Sequence, residues 1–390
     1  MARKEAAKRL RRHALGTALL TAALPLSSCG GGDGVGDGPP PELPDALSSF
    51  YERLLVDATA FEEVDGGWTE DYGDAPFYGL ALYVRLGAER SNAAFAARAE
   101  RARAYDIEVV RQANADRDWY LANMEEAMMA VLGLIENAAQ TGDDADLPDI
   151  DAFVDGTDAL VSLFGDYLPN GADVGSFALE TYGPTSITGA AALLSLQYAT
   201  YLDTPRRDDR IARAGRLVRA IDRNAWDGTR YLFGPGEERL FLYPNSMMIL
   251  VQCRLFELTG DRAHLARAVA TADAIAPLMD TGHGGYHSPY SAEYMGATTQ
   301  DYSTLSSQNY LAMAFALLYA NTHDRRWFDE AVGVLEFVHT RLYDASQHRL
   351  LHHFMDGRIA QPEDLEYFCS GCNLQFLYVL WFFQTQVLAG

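Results

Sequence analysis

The chain has 390 residues, 48% of them hydrophobic, and a formal net charge of −23 from 31 Lys and Arg against 54 Asp and Glu. That length and apolar content suffice for one large core, and so acidic a surface repels phosphate backbones, which disfavours nucleic acid, and none is expected as a partner. The only lysines are Lys4 and Lys8, so the rest of the chain lacks the amine for Schiff-base chemistry, for a pyridoxal-phosphate anchor or for a P-loop; no G-x-S-x-G, H-E-x-x-H or G-x-G-x-x-G motif occurs.

The N-terminus reads "MARKEAAKRLRRHALGTALLTAALPLSSCGGGDG". Six basic side chains (Arg3, Lys4, Lys8, Arg9, Arg11, Arg12) precede an apolar run from Ala14 to Leu26. The run is too short to cross a bilayer as a helix and is flanked as an export signal is. It ends in Leu26-Ser27-Ser28-Cys29, which resembles the bacterial lipobox. The resemblance implies that residues 1–28 are a lipoprotein signal peptide and that Cys29 carries diacylglycerol as the mature N-terminus. The protein is then held in the bacterial cell envelope by lipid alone, and Gly30 after the cysteine implies the outer membrane. Residues 29–43 are a Gly/Pro-rich tether with no apolar periodicity.

From Pro44 onward apolar residues recur with a period near 3.6. The pattern predicts helices near 44–60, 74–87, 93–113, 120–140, 149–166, 184–203, 207–225, 243–259, 261–279, 302–322, 324–342 and 370–388. Two kinds alternate. "SITGAAALLSLQYATYL", "SMMILVQCRLFELTG" and "LSSQNYLAMAFALLYAN" are apolar nearly all round. "PRRDDRIARAGRLVRAIDRNAWDGTRYLF", "TGDRAHLARAVATADAIAPLMDTGHGGYH" and "THDRRWFDEAVGVLEFVHTRLYDASQHRLLHH" are amphipathic, start at an acidic cap and break into a polar turn with an aromatic. A helix apolar all round is buried on every side and an amphipathic one covers it. The chain therefore predicts an all-α domain over 44–390 in two concentric layers of about six helical hairpins.

The stretch "LFELTGDRAHLARAVATADAI" followed by "GGYH", and "DYSTLSSQNYLAMAFALLYANTHDRRWFDEA", resemble the hairpins of the six-hairpin, (α/α)6-toroid superfamily, most strongly over 185–383. That superfamily includes many glycoside hydrolases, the N-acylglucosamine epimerases and the toroid of a thioredoxin-like fused family. The resemblance implies an (α/α)6 toroid with short β-like loops, a monomer, a carbohydrate ligand and no cofactor. It places the substrate cavity at the mouth, where loops enter the N-termini of the inner helices.

Those entries are aromatic and acidic, as sugar sites are: aromatic faces stack on sugar rings, amides bond hydroxyls and paired carboxylates supply an acid and a base. Thr69-Glu70-Asp71-Tyr72 and Thr299-Gln300-Asp301-Tyr302 repeat one pattern before the first and fifth inner helices, and Glu366-Tyr367 enters the sixth. In a six-membered ring these three entries are contiguous, which makes Asp301 and Glu366 the catalytic candidates with Asp71 as alternate. A capping role is the structural alternative for Asp71 and Asp301. Trp68, Tyr72, Trp119, Tyr120, Tyr182, Tyr243, Asn245, Tyr286, Tyr302, Gln308, Tyr367 and Asn373 are the candidate substrate-binding residues, with Glu125, Glu126 and Glu180 as reserve acids. The epimerases of the superfamily use histidines near the cavity centre, where this chain has Asn245 and Asn373. Glycan hydrolysis therefore leads, ahead of a non-catalytic glycan- or protein-binding lipoprotein and of a sugar epimerase or isomerase.

Cys369-Ser370-Gly371-Cys372 opens the last predicted helix. A local structural pair, closed as a disulfide or packed as thiols, stands ahead of a redox-active pair, since no thioredoxin-like βαβ context surrounds it. It also stands ahead of zinc, shared with His283, His287, His352 or His353: no second C-x-x-C exists and no H-x3–5-H follows at finger spacing. No metal is expected, and Cys253 reads as a buried free thiol.

Overall fold

The helices that are apolar all round line the inside of a ring, and the amphipathic ones wrap it. This computed structural model describes residues 17–18, 21–22, 41–58, 75–174, 176–236, 241–282, 284–287, 302–355, 358–359 and 369–388. The inner helices are α2 (Ala75–Glu89), α4 (Met124–Thr141), α6 (Phe177–Tyr201), α8 (Leu242–Thr259), α10 (Leu305–Thr322) and α12 (Ser370–Phe382). The outer ones are α1 (Asp45–Ala58), α3 (Ala93–Ala115), α5 (Leu147–Leu163), α7 (Thr204–Ala225), α9 (Arg262–Ile275) and α11 (Arg325–Phe337). Every residue of α12 is buried, whereas α9 buries only Ala268, Thr271, Ala272 and Ile275, the stripe that a one-sided helix presents.

Each inner helix packs on the next, in the order α2, α4, α6, α8, α10, α12, and α12 returns to α2. The ring is closed. Its sixth hairpin is assembled from the two ends of the domain, because α1 covers α12. Phe50 of α1 is 1% exposed and meets Phe376 edge-on at 5.9 Å, and Gln384 donates to Ser48 Oγ at 3.1 Å. Burying a phenylalanine this fully contributes about 2 kcal/mol to that closure.

Local chemistry sets the helix ends. Asp261 and Asp324 accept from the backbone N–H of Ala263 and Arg326 at 2.9 and 3.0 Å, capping α9 and α11. The prediction of an acidic cap fails only for α7, where Asp203 makes no side-chain cap bond. Gly183, at φ 82°, breaks α6 ahead of Pro184, so the straight part of that helix starts where the sequence placed it. A Cβ at Gly183 would lie 2.7 Å from the Phe233 ring, so only glycine fits both the left-handed backbone and the close approach. In the outer layer, the arginines of α7 mate with aspartates on and just after α5: Arg210 with Asp158 at 2.6 Å, and Arg213 with Asp158 at 2.9 Å and with Asp166 in the following turn.

Among the boundaries that differ from the sequence prediction, one changes the kind of structure. Residues 302–304 open no helix but form strand β1 (Tyr302–Thr304). It pairs antiparallel with β4 (His353–Met355), which pairs in turn with β5 (Arg358–Ile359). A second ribbon joins β2 (Tyr343–Asp344) to β3 (Arg349–Leu350). Thr304 ends β1 and caps α10, its hydroxyl accepting from Ser307 N.

Candidate functional site

Each inner helix is followed by an outer one that runs back, so the inner N-termini open together at one end. At the fourth residue of α8, α10 and α12 stands a buried amide: Asn245, Gln308 and Asn373. Each amide clamps one upstream residue by both its backbone groups. Tyr231 N donates to Asn245 Oδ1 and Asn245 Nδ2 donates to Tyr231 O, both at 2.9 Å. Gln308 holds Tyr286 at 3.0 and 2.7 Å, and Asn373 holds Leu350 at 2.9 and 3.0 Å. These three were expected to bond sugar hydroxyls; in the structure their amides hold the backbone of the preceding turn. The clamps seat the loop between each outer helix and the next inner one. Asn373→Leu removes both partners from the buried Leu350 backbone and is expected to destabilise by about 1–3 kcal/mol in urea titration.

Two tyrosines from the same set of candidates also bond within the protein. Tyr120 shares a hydrogen bond with Thr157 Oγ1 at 2.8 Å and lies edge-on to Phe153, in the seam between α4 and α5. Tyr286 donates to Glu330 of α11 at 2.8 Å, toward the outer layer. Trp119 is partly buried and packs against the core.

Tyr243 does face the ring interior. Its hydroxyl donates at 3.0 Å to Glu125 Oε1. Glu125 lies on α4 and Tyr243 on α8, which are separated in the ring by α6, so this bond crosses the inner surface of the toroid. Glu125 is 6% exposed, and Tyr243 stands edge-on to Tyr310 of α10 at 4.8 Å. Across the closing seam, Asn309 of α10 donates to Gln375 of α12 at 3.1 Å, and Gln375 donates to Tyr78 of α2 at 2.9 Å. Glu126 turns the other way. It accepts from Tyr105 of α3 at 3.4 Å, and burial raises its carboxyl above the usual range against the lowering effect of that bond. The reserve acid Glu125 is thus a described carboxylate turned to the ring interior, while Tyr78, Asn309, Tyr310 and Gln375 carried no sequence signal that set them apart from core residues.

Asp71, Asp301, Glu366, Trp68, Tyr72, Tyr367, His283 and Cys29 lie outside the described residues, as do the side chains of Tyr182, Tyr302 and Glu180.

Cys369 and Cys372 are joined as a disulfide with Cα atoms 5.2 Å apart, and Cys369 Sγ accepts from Cys372 N at 3.0 Å at the start of α12. Asn309 Nδ2 donates to Cys372 O at 2.8 Å and so ties that turn to α10. Cys253 is a buried thiol whose pKa burial pushes up. Among the described residues no three metal-ligating side chains cluster. His352 and His353 instead face each other, Nδ1 to Nδ1 at 3.3 Å, beside the entry of α10, where Leu305 N donates to His352 O at 2.8 Å.

Burial lowers both histidines, His353 from 6.5 to about 4 and His352 well below its usual value with help from its neighbour. A group whose folded pKa is depressed stabilises fully above its unfolded pKa, and that contribution is lost as pH falls toward the folded one. Stability is therefore expected to fall between pH 6.5 and 4 by about 3 kcal/mol on account of His353. Thermal melts across that window should show a shallower decline for His353→Gln than for the wild type.

No protein-family model matches the chain, and no curated protein matches it. Solved structures do share its shape. A D-mannose isomerase superposes with a TM-score of 0.62 at 12% identity, over 88% of this chain and 100% of that one. The GH76 α-mannanase of Bacteroides thetaiotaomicron gives 0.60 at 14% identity, over 87% and 95%. An unsaturated glucuronyl hydrolase specific for heparin gives 0.59 at 12% identity, over 88% and 96%. On the closed ring of inner helices and on these likenesses together, the chain is a six-hairpin (α/α)6 toroid.

Proposed function

We propose that this toroid is a carbohydrate-active enzyme, a glycoside hydrolase that works with paired carboxylates at the mouth of its ring. The observation that carries the reading is the order of the inner helices. α10, α12, α2 and α4 are consecutive around the ring, and the chain entering the first three bears Asp301, Glu366 and Asp71, each four residues ahead of its helix. The fourth contributes Glu125, already turned inward. Acids on consecutive inner helices suit the two-sided attack that glycosidic cleavage requires, with one carboxyl protonating the leaving oxygen and the other activating water or the sugar carbon. The tyrosines around Glu125 provide stacking and hydroxyl-bonding surface. The structural neighbours named above are one sugar isomerase and two glycan hydrolases by name, which supports the substrate class and leaves the reaction to the site.

A second reading rests on His352 and His353. Two neutral imidazoles beside the entry of α10 suit proton transfer at a sugar carbon, the chemistry of an isomerase or epimerase. Incubation with a panel of oligosaccharides and reducing sugars, read by chromatography, separates the two: new reducing ends mean hydrolysis, and interconversion without cleavage means isomerisation. No change on any sugar would defeat both and leave a non-catalytic binding protein.

The same proposal includes the lipid anchor at Cys29. Among the described residues no helix is long and apolar enough to cross a membrane, and a diacylglyceryl cysteine supplies attachment without one. Wild-type protein is expected to incorporate labelled palmitate and to enter the detergent phase, while Cys29→Ser stays aqueous. An unlabelled, aqueous wild type would remove the anchor.

A further inference from the structure

We infer that the ring stands on its membrane with the mouth turned away, and takes glycans arriving from the aqueous side rather than the sugar headgroups of that bilayer. This rests on the lipid-anchor and carbohydrate readings above and adds the orientation that joins them.

The chain enters the ring at the end opposite the mouth. The inner helices begin at the mouth, so the outer ones run toward it, and α1 is an outer helix. Its contacts fix the direction. Ser48, in the first turn of α1, accepts at 3.1 Å from Gln384, two residues past the end of α12. Glu52, one turn on, accepts at 2.7 and 2.9 Å from Arg90, which follows the last residue of α2. At the other end of α1, Asp57 lies 3.5 Å from the Tyr343 hydroxyl of β2. That strand pairs with β3, whose Leu350 is clamped by Asn373 in the opening turn of α12. Thus α1 starts beside the ends of α12 and α2 and finishes beside the start of α12.

The residues ahead of α1 are held at the same end. Leu43 is buried in the core, and Pro44 O accepts from Leu47 N at 2.9 Å and Ser48 N at 3.2 Å. The chain leading back to Cys29 therefore departs from the ring at Pro41, opposite the mouth. Residues 29–40 separate the cysteine from that point, twelve residues that reach at most about 40 Å when fully drawn out. The 18 residues of α10 give the ring wall a height of about 27 Å. With the mouth up, the tether needs no particular length. With the mouth down, it must climb the whole wall, use most of its reach and give up its conformational freedom. The point of attachment and the length select the same orientation. A mouth held about 27 Å above the headgroups is out of reach of a sugar fixed to them.

The test is energy transfer from a dye on the ring to a rhodamine-labelled lipid, with the lipidated full chain reconstituted in phosphatidylcholine vesicles. Cys369 and Cys372 are bonded to each other, Cys253 is buried and Cys29 carries the lipid, so one added cysteine takes the dye. Arg262→Cys, exposed at the start of α9, marks the end opposite the mouth. Ala345→Cys, exposed in the turn between β2 and β3, marks the mouth side. Arg262→Cys is expected to transfer severalfold more efficiently than Ala345→Cys. Equal or stronger transfer from Ala345→Cys would overturn the orientation and leave the anchor and the carbohydrate reading standing. Transfer from neither would overturn the anchor and the orientation with it, while the oligosaccharide panel decides the carbohydrate reading separately. Adding about twenty Gly/Ser residues after Pro40 is expected to narrow the difference, since reach grows with chain length. An unchanged ratio would overturn the part given to the tether.

Discussion

Asp301→Asn and Glu366→Gln are each expected to lose turnover by on the order of 10²–10⁴-fold on whichever glycan the wild type cleaves, while folding and binding persist. The amide keeps the shape of the carboxyl and removes its ability to give or take a proton. The expectation follows from topology: α10 and α12 are neighbours in the ring, so the segments entering them start from adjacent points of one rim. Asp71→Asn, in the segment that precedes α2 in sequence, is expected to lose less if it only orients the ligand. The measurement is kcat for each variant beside circular dichroism and ligand titration. Full activity in both Asp301→Asn and Glu366→Gln would end the catalytic assignment while leaving the toroid untouched.

Glu136→Ala is expected to destabilise the protein by about 3–5 kcal/mol, the largest loss among single changes away from the mouth. Glu136 has no exposed side-chain surface, and its partner Arg85 has 8%. Arg85 also lies 4.7 Å from the centre of the Trp381 ring, and the Trp381 indole donates to Glu89 at 3.1 Å. Removing Glu136 strands the guanidinium in the closed end of the ring, where desolvation is no longer offset by an opposite charge. The physical cause can be isolated by a double change. Arg85→Met with Glu136→Leu leaves no buried charge and should recover most of the loss, because a buried pair replaced by apolar side chains is often neutral. Urea unfolding of the three proteins decides it; equal instability of the single and double variants would assign the effect to packing instead.

The layer of each helix was legible in the chain alone, because local periodicity reports burial. A run such as "SGCNLQFLYVLWF" has no polar face to give to water, so it must be enclosed, and all of it is. The one-sided stripe of α9 belongs outside, and Asp261 and Asp324 marked the caps through bonds two residues long. The proximity of Cys369 to Cys372 was local as well. The same argument explains what the chain could not declare. An inner helix apolar all round has no preferred face, so nothing in one dimension says which residue looks into the ring and which looks at a neighbour. Asn245, Gln308 and Asn373 sat at helix entries as sugar ligands would, but their partners are backbone groups 14 to 23 residues upstream. Tyr302–Thr304 continued a helical pattern until β4, some fifty residues later, supplied an edge to pair with. Glu125 became a mouth residue only when ring closure brought Tyr243 to it across 118 residues. Composition and period determined the layers; the direction of each buried side chain was decided by which helices the closed ring makes neighbours.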